Sequence, residues 1–158
     1  MDSIQIRPGR KEDLTRTLEL VRELAVFERA GDEVIVTVAD MERDGFGPAP
    51  SFGFFVAEID EIIVGISLYY YRYSTWKGRR LYLEDIVVTE SQRGKGIGKL
   101  LFDRTMEKTI EDQCSGMVWQ VLEWNEPAIK FYERYGAAIK TDWSNCSLEA
   151  DEIEALLR

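Results

Sequence analysis

The segment from Leu81 to Glu123 constrains the fold more than any other part of the chain. It begins with an apolar, β-branched run, LYLEDIVV (Leu81–Val88), and passes through the glycine-rich stretch QRGKGIG (Gln92–Gly98) into an amphipathic pattern up to Glu111. A second apolar run, GMVWQVLE (Gly116–Glu123), follows. Two strands joined by a helix are typical of parallel pairing, because a parallel connection must cross back over the sheet. We therefore predict an α/β fold.

The remaining pattern predicts a mixed sheet with helices on its faces. Apolar residues at helical spacing indicate a long N-terminal helix, and Thr37 is expected to cap a short one, with Asp40 at its third position. The expected elements are strand Gln5–Arg7, helix Glu12–Glu28, helix Thr37–Arg43, loop Asp44–Pro50, strands Phe54–Ile59 and Ile62–Tyr71 joined by a tight Asp60-Glu61 turn, strand Leu81–Val88, helix Gly96–Glu111, strand Gly116–Glu123, a helix from Pro127 to Tyr135 closed by Gly136, a last strand from Ala138, and a short amphipathic tail at Glu149–Leu157.

Composition limits the chemistry that the chain can perform. Among 158 residues there is no histidine and there are only two cysteines, Cys114 and Cys146. This excludes Ser-His-Asp and Cys-His catalysis and histidine-based metal sites, and we predict no metal. Twenty basic against 29 acidic residues, a net charge of −9, argue against a nucleic-acid partner. Any general base must be Asp, Glu, Lys, Tyr, Cys or water.

The length and the apolar pattern indicate a single domain over residues 1–158. The N-terminus is charged and polar and has no signal-peptide pattern. The longest apolar stretch, around Ile62–Tyr71, is too short to cross a bilayer, so we expect no membrane partner. We predict a cytoplasmic protein.

The glycine-rich stretch indicates a phosphate site. Glycines let a backbone approach a ligand closely, and the amides that open a helix have no partner within it, so the turn favours an anion. Arg93, Lys95 and Lys99 add positive charge. The spacing G-x-G-x-G fits neither a Walker loop nor a dinucleotide-binding motif. The alternative is a loop that only turns the chain.

QRGKGIGKLL (Gln92–Leu101) resembles the Q/R-x-x-G-x-G/A signature of the GNAT superfamily of N-acetyltransferases, whose turn holds the pyrophosphate of acetyl-CoA. Further segments, IRPGRKEDL, VRELAVFE, DGFG, LYLEDIVV and EWNEPAIKFYERYGA, are similar in the same order to the spermidine/spermine (diamine) and thialysine acetyltransferase branch. The resemblance covers most of residues 4–138, and the tail after Lys140 matches poorly. It implies a mostly antiparallel sheet with splayed parallel central strands, which hold acetyl-CoA between them, and helices on both faces.

The resemblance also implies how the co-substrate, acetyl-CoA, is held. Backbone groups of the strand would pair with the pantetheine arm, amides of the glycine turn would hold the pyrophosphate, and the Asn125 side chain would contact the arm. From the residues alone, Asn125 is explained equally well as a helix N-cap. The implied cofactor-binding residues are Ile86, Val87, Val88, Arg93, Gly94, Lys95, Gly96, Ile97, Gly98, Lys99, Asn125, Glu126, Pro127, Ala128 and Tyr132.

Acetyl transfer to an amine needs a base and an acid. Strict alternation would place Glu84 on one side of its strand with Tyr82, and Asp85 on the other with Leu83 and Val87. A carboxylate in so apolar a strand is unfavourable unless it has a partner or a task, although a solvent-facing strand end would also explain Glu84. The residues alone do not choose between Tyr132 and Tyr135 as acid. The resemblance implies Glu84 as general base and Tyr132 as general acid.

The resemblance further implies an amine channel lined by Phe27, Glu28, Trp76, Glu84 and Asp85. Ser74 stands where the family has an acidic residue, which favours a diamine, lysine or thialysine over a long polyamine. A homodimer is implied by resemblance only. A protein or peptide N-acetyltransferase and a non-catalytic CoA-binding module are the alternatives, and the sequence does not name the amine.

Overall fold

The computed structural model describes residues 3–158. The chain forms two compact units, residues 1–120 and residues 121–158. The first contains strands β1 (Ile4–Pro8), β2 (Gly53–Ile59), β3 (Ile62–Ser74), β4 (Gly78–Val88) and β5 (Met117–Trp119), and helices α1 (Leu14–Phe27), α2 (Val38–Phe46) and α3 (Ile97–Glu111). The second contains α4 (Glu126–Glu133) and α5 (Ala150–Leu156). The expected single domain over residues 1–158 stays a prediction.

The first unit is built on one mixed sheet of five strands in the order β1-β2-β3-β4-β5. The first three pairings are antiparallel, and β4 pairs with β5 in parallel. The predicted mixed α/β class, with a mostly antiparallel sheet, is therefore confirmed. None of the helices in residues 3–158 is long and apolar enough to cross a membrane.

Local sequence chemistry explains two predicted features. Asp60 and Glu61 both have positive φ, 50° and 65°, which matches the twist that a two-residue hairpin turn between β2 and β3 requires. The Thr37 hydroxyl accepts from the Asp40 amide at 3.1 Å, while the Asp40 carboxylate accepts from the Thr37 amide at 2.9 Å. This reciprocal cap begins α2 where the sequence predicts it.

The sheet buries both faces, each against different helices. On one face the core joins α1 and α2 to the sheet through Leu14, Leu18, Leu20, Met41, Phe54, Val56, Ile63, Ile66, Leu68 and Val87. On the other face α3 packs on the sheet through Phe55, Ala57, Ile59, Val64, Tyr69, Leu81, Ile97, Leu101 and Cys114. The predicted helices on both faces are thus confirmed.

The expected strict alternation along β4 is wrong, because the strand contains a β-bulge. Leu83 pairs with Tyr69 and Asp85 pairs with Leu68, so Glu84 has no opposing residue on β3. Beyond the extra residue the two faces of the strand exchange, and Asp85 lies on the α1 face with Val87. Leu83 lies on the α3 face with Tyr69. Asp85 and Leu83 therefore do not share a face.

Three other expectations differ from the structure. β5 is shorter than the predicted strand Gly116–Glu123, because its pairing with β4 ends at Leu83, immediately before the bulge. No strand follows Ala138, where residues 138–149 are exposed and offer no buried face to an alternating pattern. Helix α2 continues into the predicted loop as far as Phe46, where Gly45 lets the Phe52 ring approach closely.

The fold gives a matched test of two buried threonines. The Thr17 hydroxyl on α1 has no hydrogen-bond partner among the described residues, whereas Thr105 Oγ1 on α3 bonds Ser67 Oγ at 2.9 Å and Leu101 O at 2.8 Å. Thr17→Val should raise the free energy of unfolding by about 1 kcal/mol, since it removes an unsatisfied polar atom. Thr105→Val should lower it by about 1–2 kcal/mol. Urea denaturation of both variants measures this, and equal effects of the two changes would contradict it.

Candidate active site

The glycine turn joins the end of β4 to the start of α3, as the sequence predicts. A short 3-10 turn at Glu90–Gln92 leads into it, and Gly96 is the N-cap of α3. Gly94 and Gly96 have φ of 79° and 80°, in the left-handed region that side chains other than glycine rarely adopt. These two glycines therefore set the path of the backbone in front of the helix.

The turn exposes a run of backbone N–H groups. Before it, the Arg93 amide donates to Glu90 O at 3.3 Å, and after it, the Leu100 amide donates to Gly96 O at 3.1 Å. Between them, the six amides from Gly94 to Lys99 donate to no other atom of residues 3–158. Successive free amides at a helix start form a concavity that suits a phosphate group.

The basic side chains of the turn already have partners within the chain. Arg93 Nε donates to Val88 O at 3.0 Å, and Lys95 Nζ donates to Gln92 Oε1 at 2.7 Å. Lys99 forms an ion pair with Asp103 at 2.5 Å, although its side chain is 65% exposed. The amides, more than the lysines, are thus the donors that remain available at this turn.

One edge of β4 is open beside the turn. The pairing of β4 with β5 ends at Leu83, while the pairing with β3 continues to Val88. The Thr89 amide donates to Val64 O, so Thr89 directs its backbone groups at β3. Because this direction alternates along an antiparallel strand, Val87 also directs its N–H and C=O at β3. Ile86 and Val88 direct theirs at the open edge. Ile86 therefore offers a free N–H and C=O, whereas the carbonyl of Val88 is bonded to Arg93.

Three carboxylates gather around the β4 bulge. Glu84 is exposed and Asp85 is half-buried on β4, and Glu28 follows the end of α1. The charge of Glu84 acts on both Asp85 and Glu28, and the charge of Glu28 acts on Asp85. No arginine or lysine among residues 3–158 forms an ion pair with these three side chains, and none of the three has a hydrogen-bond partner there. The cluster therefore carries uncompensated negative charge suited to a cation.

Burial and mutual repulsion change how these carboxyl groups bind protons. Burial, followed by the charges of Glu84 and Glu28, raises the pKa of Asp85 to about 7. Burial, followed by the charge of Glu84, also raises the pKa of Glu28. A group with a pKa near neutrality can both accept and release a proton under ordinary conditions.

Two tyrosines that the sequence analysis does not select lie beside this cluster. Tyr70 and Tyr82 stand opposite each other on β3 and β4, with ring centroids 5.0 Å apart, and Arg72 lies 5.7 Å from the Tyr82 ring. Burial and the charge of Glu84 raise the pKa of both phenols. The two tyrosines are neighbours because of the register of the β3–β4 hairpin. The sequence of either strand alone does not give that register.

The other predicted substrate residues lie at different places in the first unit. Phe27, at the end of α1, lies 5.8 Å from the Arg93 guanidinium, so α1 ends next to the glycine turn as well as next to the carboxylates. Trp76 is 84% exposed at the tip of the β3–β4 hairpin, where the Ser74 hydroxyl accepts from the amides of Trp76 and Lys77. The structure does not bury Trp76 in the site.

The remaining predicted site residues belong to the second unit. Asn125 is the N-cap of α4 and its side chain accepts from the Ala128 amide at 3.4 Å, while Glu126 and Pro127 form the first turn. Tyr132 is buried near the end of α4, with its ring 5.5 Å from that of Phe131. Asn125 therefore caps the helix, as the residues alone suggest.

Asp85→Asn should stabilise the protein most at alkaline pH. A carboxyl with a raised pKa binds protons more tightly in the folded than in the unfolded state, so its contribution to stability falls as pH rises from about 4 to about 7 and stays low above that. The ionised form of Asp85 lowers the free energy of unfolding by about 4 kcal/mol at most. Urea unfolding at about pH 4.5 and about pH 8.5 should show the larger gain at the higher pH. Asp142→Asn, at an exposed position, is the control; equal gains at both pH values would refute the expectation.

Comparison with known proteins reveals the family. Residues 17–137 match the model of the Acetyltransferase (GNAT) family. The chain is 38% identical to thialysine N-epsilon-acetyltransferase of Bos taurus, covering 99% of this chain and 98% of that one. It is 38% identical to human spermidine/spermine N(1)-acetyltransferase-like protein 1, covering 87% of this chain and 21% of the relative.

Solved structures agree on the fold. The aminoglycoside N-acetyltransferase AAC(6')-Iy in complex with CoA superposes with a TM-score of 0.74 at 20% identity, covering 95% of this chain and 97% of that one. Sequence and fold together show that the chain belongs to the GNAT family of acetyltransferases, on the branch of the thialysine and spermidine/spermine enzymes.

Proposed function

We propose that the protein transfers the acetyl group of acetyl-CoA to a primary amine of a small thialysine-like, lysine-like, diamine or polyamine substrate. The observation that carries this proposal is the uncompensated cluster of Glu28, Glu84 and Asp85, in a chain of the acetyltransferase family. Within the first unit, α1 ends beside both this cluster and the glycine turn.

Acetyl-CoA is proposed to bind along the open edge of β4 and at the glycine turn. The six free amides from Gly94 to Lys99 would hold the diphosphate, with Arg93, Lys95 and Lys99 adding charge around it. Ile86 offers both backbone groups at the strand edge for the pantetheine amides, and Val88 offers its N–H. From the second unit, the family resemblance assigns contacts to Asn125, Glu126, Pro127, Ala128 and Tyr132. No metal is required by this chemistry.

The amine is proposed to enter as an ammonium ion. An alkylammonium ion has a pKa near ~10.4, so it must lose a proton before its lone pair can attack the thioester carbonyl. The carboxylate cluster supplies both attraction for the cation and a base. The resemblance assigns the base to Glu84 and the acid that protonates the leaving sulfur to Tyr132, and direct transfer then needs no covalent intermediate. Phe27 and Trp76 are the proposed apolar contacts.

A short amine is favoured over a long polyamine. The Ser74 hydroxyl, which stands where the family has an acidic residue, accepts the amides of Trp76 and Lys77 and carries no charge. The chain's near-complete coverage of a relative named for thialysine supports the same choice. A homodimer and a cytoplasmic location stay predictions.

An acetylation assay with a panel of amines tests the function. Release of CoA is followed with thialysine, lysine, putrescine, spermidine, spermine and a lysine-containing peptide. We expect the highest kcat/KM with an amine of one or two positive charges; a preference for the peptide would favour the protein N-acetyltransferase alternative. Gly98→Val is the cofactor control, because a Cβ at Gly98 meets only Val88 Cγ2, at 3.9 Å, and should leave folding intact.

In that control, acetyl-CoA should raise the Tm of the wild type more than that of Gly98→Val, since a side chain at this position hinders the close approach of a ligand to the backbone of the turn. A Tm that acetyl-CoA does not change in the wild type refutes the proposed cofactor. Binding without any acetylation would favour the non-catalytic CoA-binding module.

Tyr132→Phe should lower kcat markedly and leave acetyl-CoA binding unchanged, because it removes only the phenolic proton donor. A loss of about 10²-fold is expected for a general acid. Steady-state kinetics and the Tm shift with acetyl-CoA measure the two effects, and Tyr135→Phe is the matched control on the same segment. Unchanged turnover in Tyr132→Phe would remove the assignment.

A further inference from the structure

The carboxylate of Glu23 ties α1 to the segment that leads into the glycine turn. Its Oε1 accepts the Glu90 amide at 2.9 Å, and its Oε2 accepts the Thr89 hydroxyl at 3.0 Å. Arg93 Nη2 lies 3.8 Å from the same Oε1. One side chain of α1 therefore gathers three donors of this segment, although 66 positions of sequence separate it from Thr89.

Glu23 supplies the cap of the 3-10 turn Glu90–Gln92. The first amide of a helical turn has no partner within that turn, and the residue before it usually provides the acceptor. Here that residue is Thr89, whose hydroxyl donates to Glu23 instead. The Glu90 amide receives its acceptor from α1, and a carboxylate acceptor makes a stronger hydrogen bond than a neutral one.

The capped segment continues directly into the exposed amides. The Gln92 amide donates to Thr89 O at 2.9 Å, and the Arg93 amide donates to Glu90 O at 3.3 Å. The free amides begin at the next residue, Gly94. A displacement of Thr89 and Glu90 would therefore pass along the chain to the first of these donors.

We propose that Glu23 is a positioning residue for acetyl-CoA, which holds the glycine turn where its amides meet the diphosphate; this inference rests on the proposed function. Hydrogen bonds weaken steeply as their length and angle depart from the best values, so displaced amides would bind a phosphate less well. Glu23 acts through Thr89 and Glu90, because direct contact between its own negative charge and the diphosphate would be repulsive.

The same contact relates the turn to the amine site. Phe27 and Glu28 follow Glu23 by four and five positions, at the end of α1. A change at Glu23 can therefore alter the amine site as well as the turn, and the experiment has to separate these two effects.

The test compares acetyl-CoA with S-acetylpantetheine as acetyl donors to the best amine. S-acetylpantetheine carries the same thioester and lacks the diphosphate, so it does not use the amides of the turn. The ratio of kcat/KM for the two donors is then independent of the folded fraction and of the amine site. Glu23→Ala should lower this ratio by about tenfold, as expected when a charge-assisted hydrogen bond no longer holds the turn.

Three further variants examine how Glu23 acts. Glu23→Gln keeps an acceptor oxygen and should restore most of the ratio. Thr89→Val removes one donor and should lower the ratio, but it should add nothing to Glu23→Ala, because both changes break one interaction. Glu19→Ala is the matched control, since it removes the same charge one turn earlier on α1, from a side chain that pairs with Arg16, and it should leave the ratio unchanged.

An unchanged ratio in Glu23→Ala overturns the inference, and so does an equal loss in Glu19→Ala or a Glu23→Gln variant that restores nothing. If Glu23→Ala does not fold, Thr89→Val decides alone, since a lowered ratio supports the inference and an unchanged one refutes it. A wild type that acetylates no amine, or that uses both donors equally well, would instead refute the proposed function.

Discussion

A single extra residue in β4 determines how the site is arranged. The bulge at Glu84 exchanges the two faces of the strand, so that Asp85 turns to the α1 face while Leu83 stays on the α3 face. In a strand of regular alternation, Asp85 would share the α3 face with Leu81 and Leu83. The pairing of β4 with β5 also ends immediately before the bulge, which leaves the edge of Ile86–Val88 open. The carboxylate cluster and the open edge thus have one structural cause.

The two halves of the proposed chemistry come together at the ends of β4 and α1. The glycine turn continues directly from β4 and presents amides, which favour an anion, and the bulge presents carboxylates, which favour a cation. Phe27 contacts Arg93 of the turn while the next residue, Glu28, faces the carboxylates. The end of β4 and the end of α1 therefore hold an anion-binding turn and a cation-attracting carboxylate cluster side by side, in a chain whose net charge is −9.

The sequence predicts the sheet, the three helices that cover it and the glycine turn because each depends on local signals. Thr37 and Asp40 cap a helix by contacts three residues apart, and Asp60-Glu61 closes a hairpin between its own neighbours. The bulge is different, because it depends on which residue of β3 stands opposite each residue of β4. For the same reason, the sequence does not predict that Tyr70 and Tyr82 lie opposite each other. The strand expected after Ala138 does not form, because an extended segment becomes a strand only where it pairs with a neighbouring strand and buries one of its faces.

The left-handed glycines of the turn have a thermodynamic consequence. Gly94 and Gly96 have φ of 79° and 80°, and a Cβ added at either position would meet no other atom within 4 Å. A larger residue there would therefore be opposed by the backbone conformation and not by crowding. The whole cost of such a change would fall on the dihedral angles of the turn, which direct the amides in front of α3.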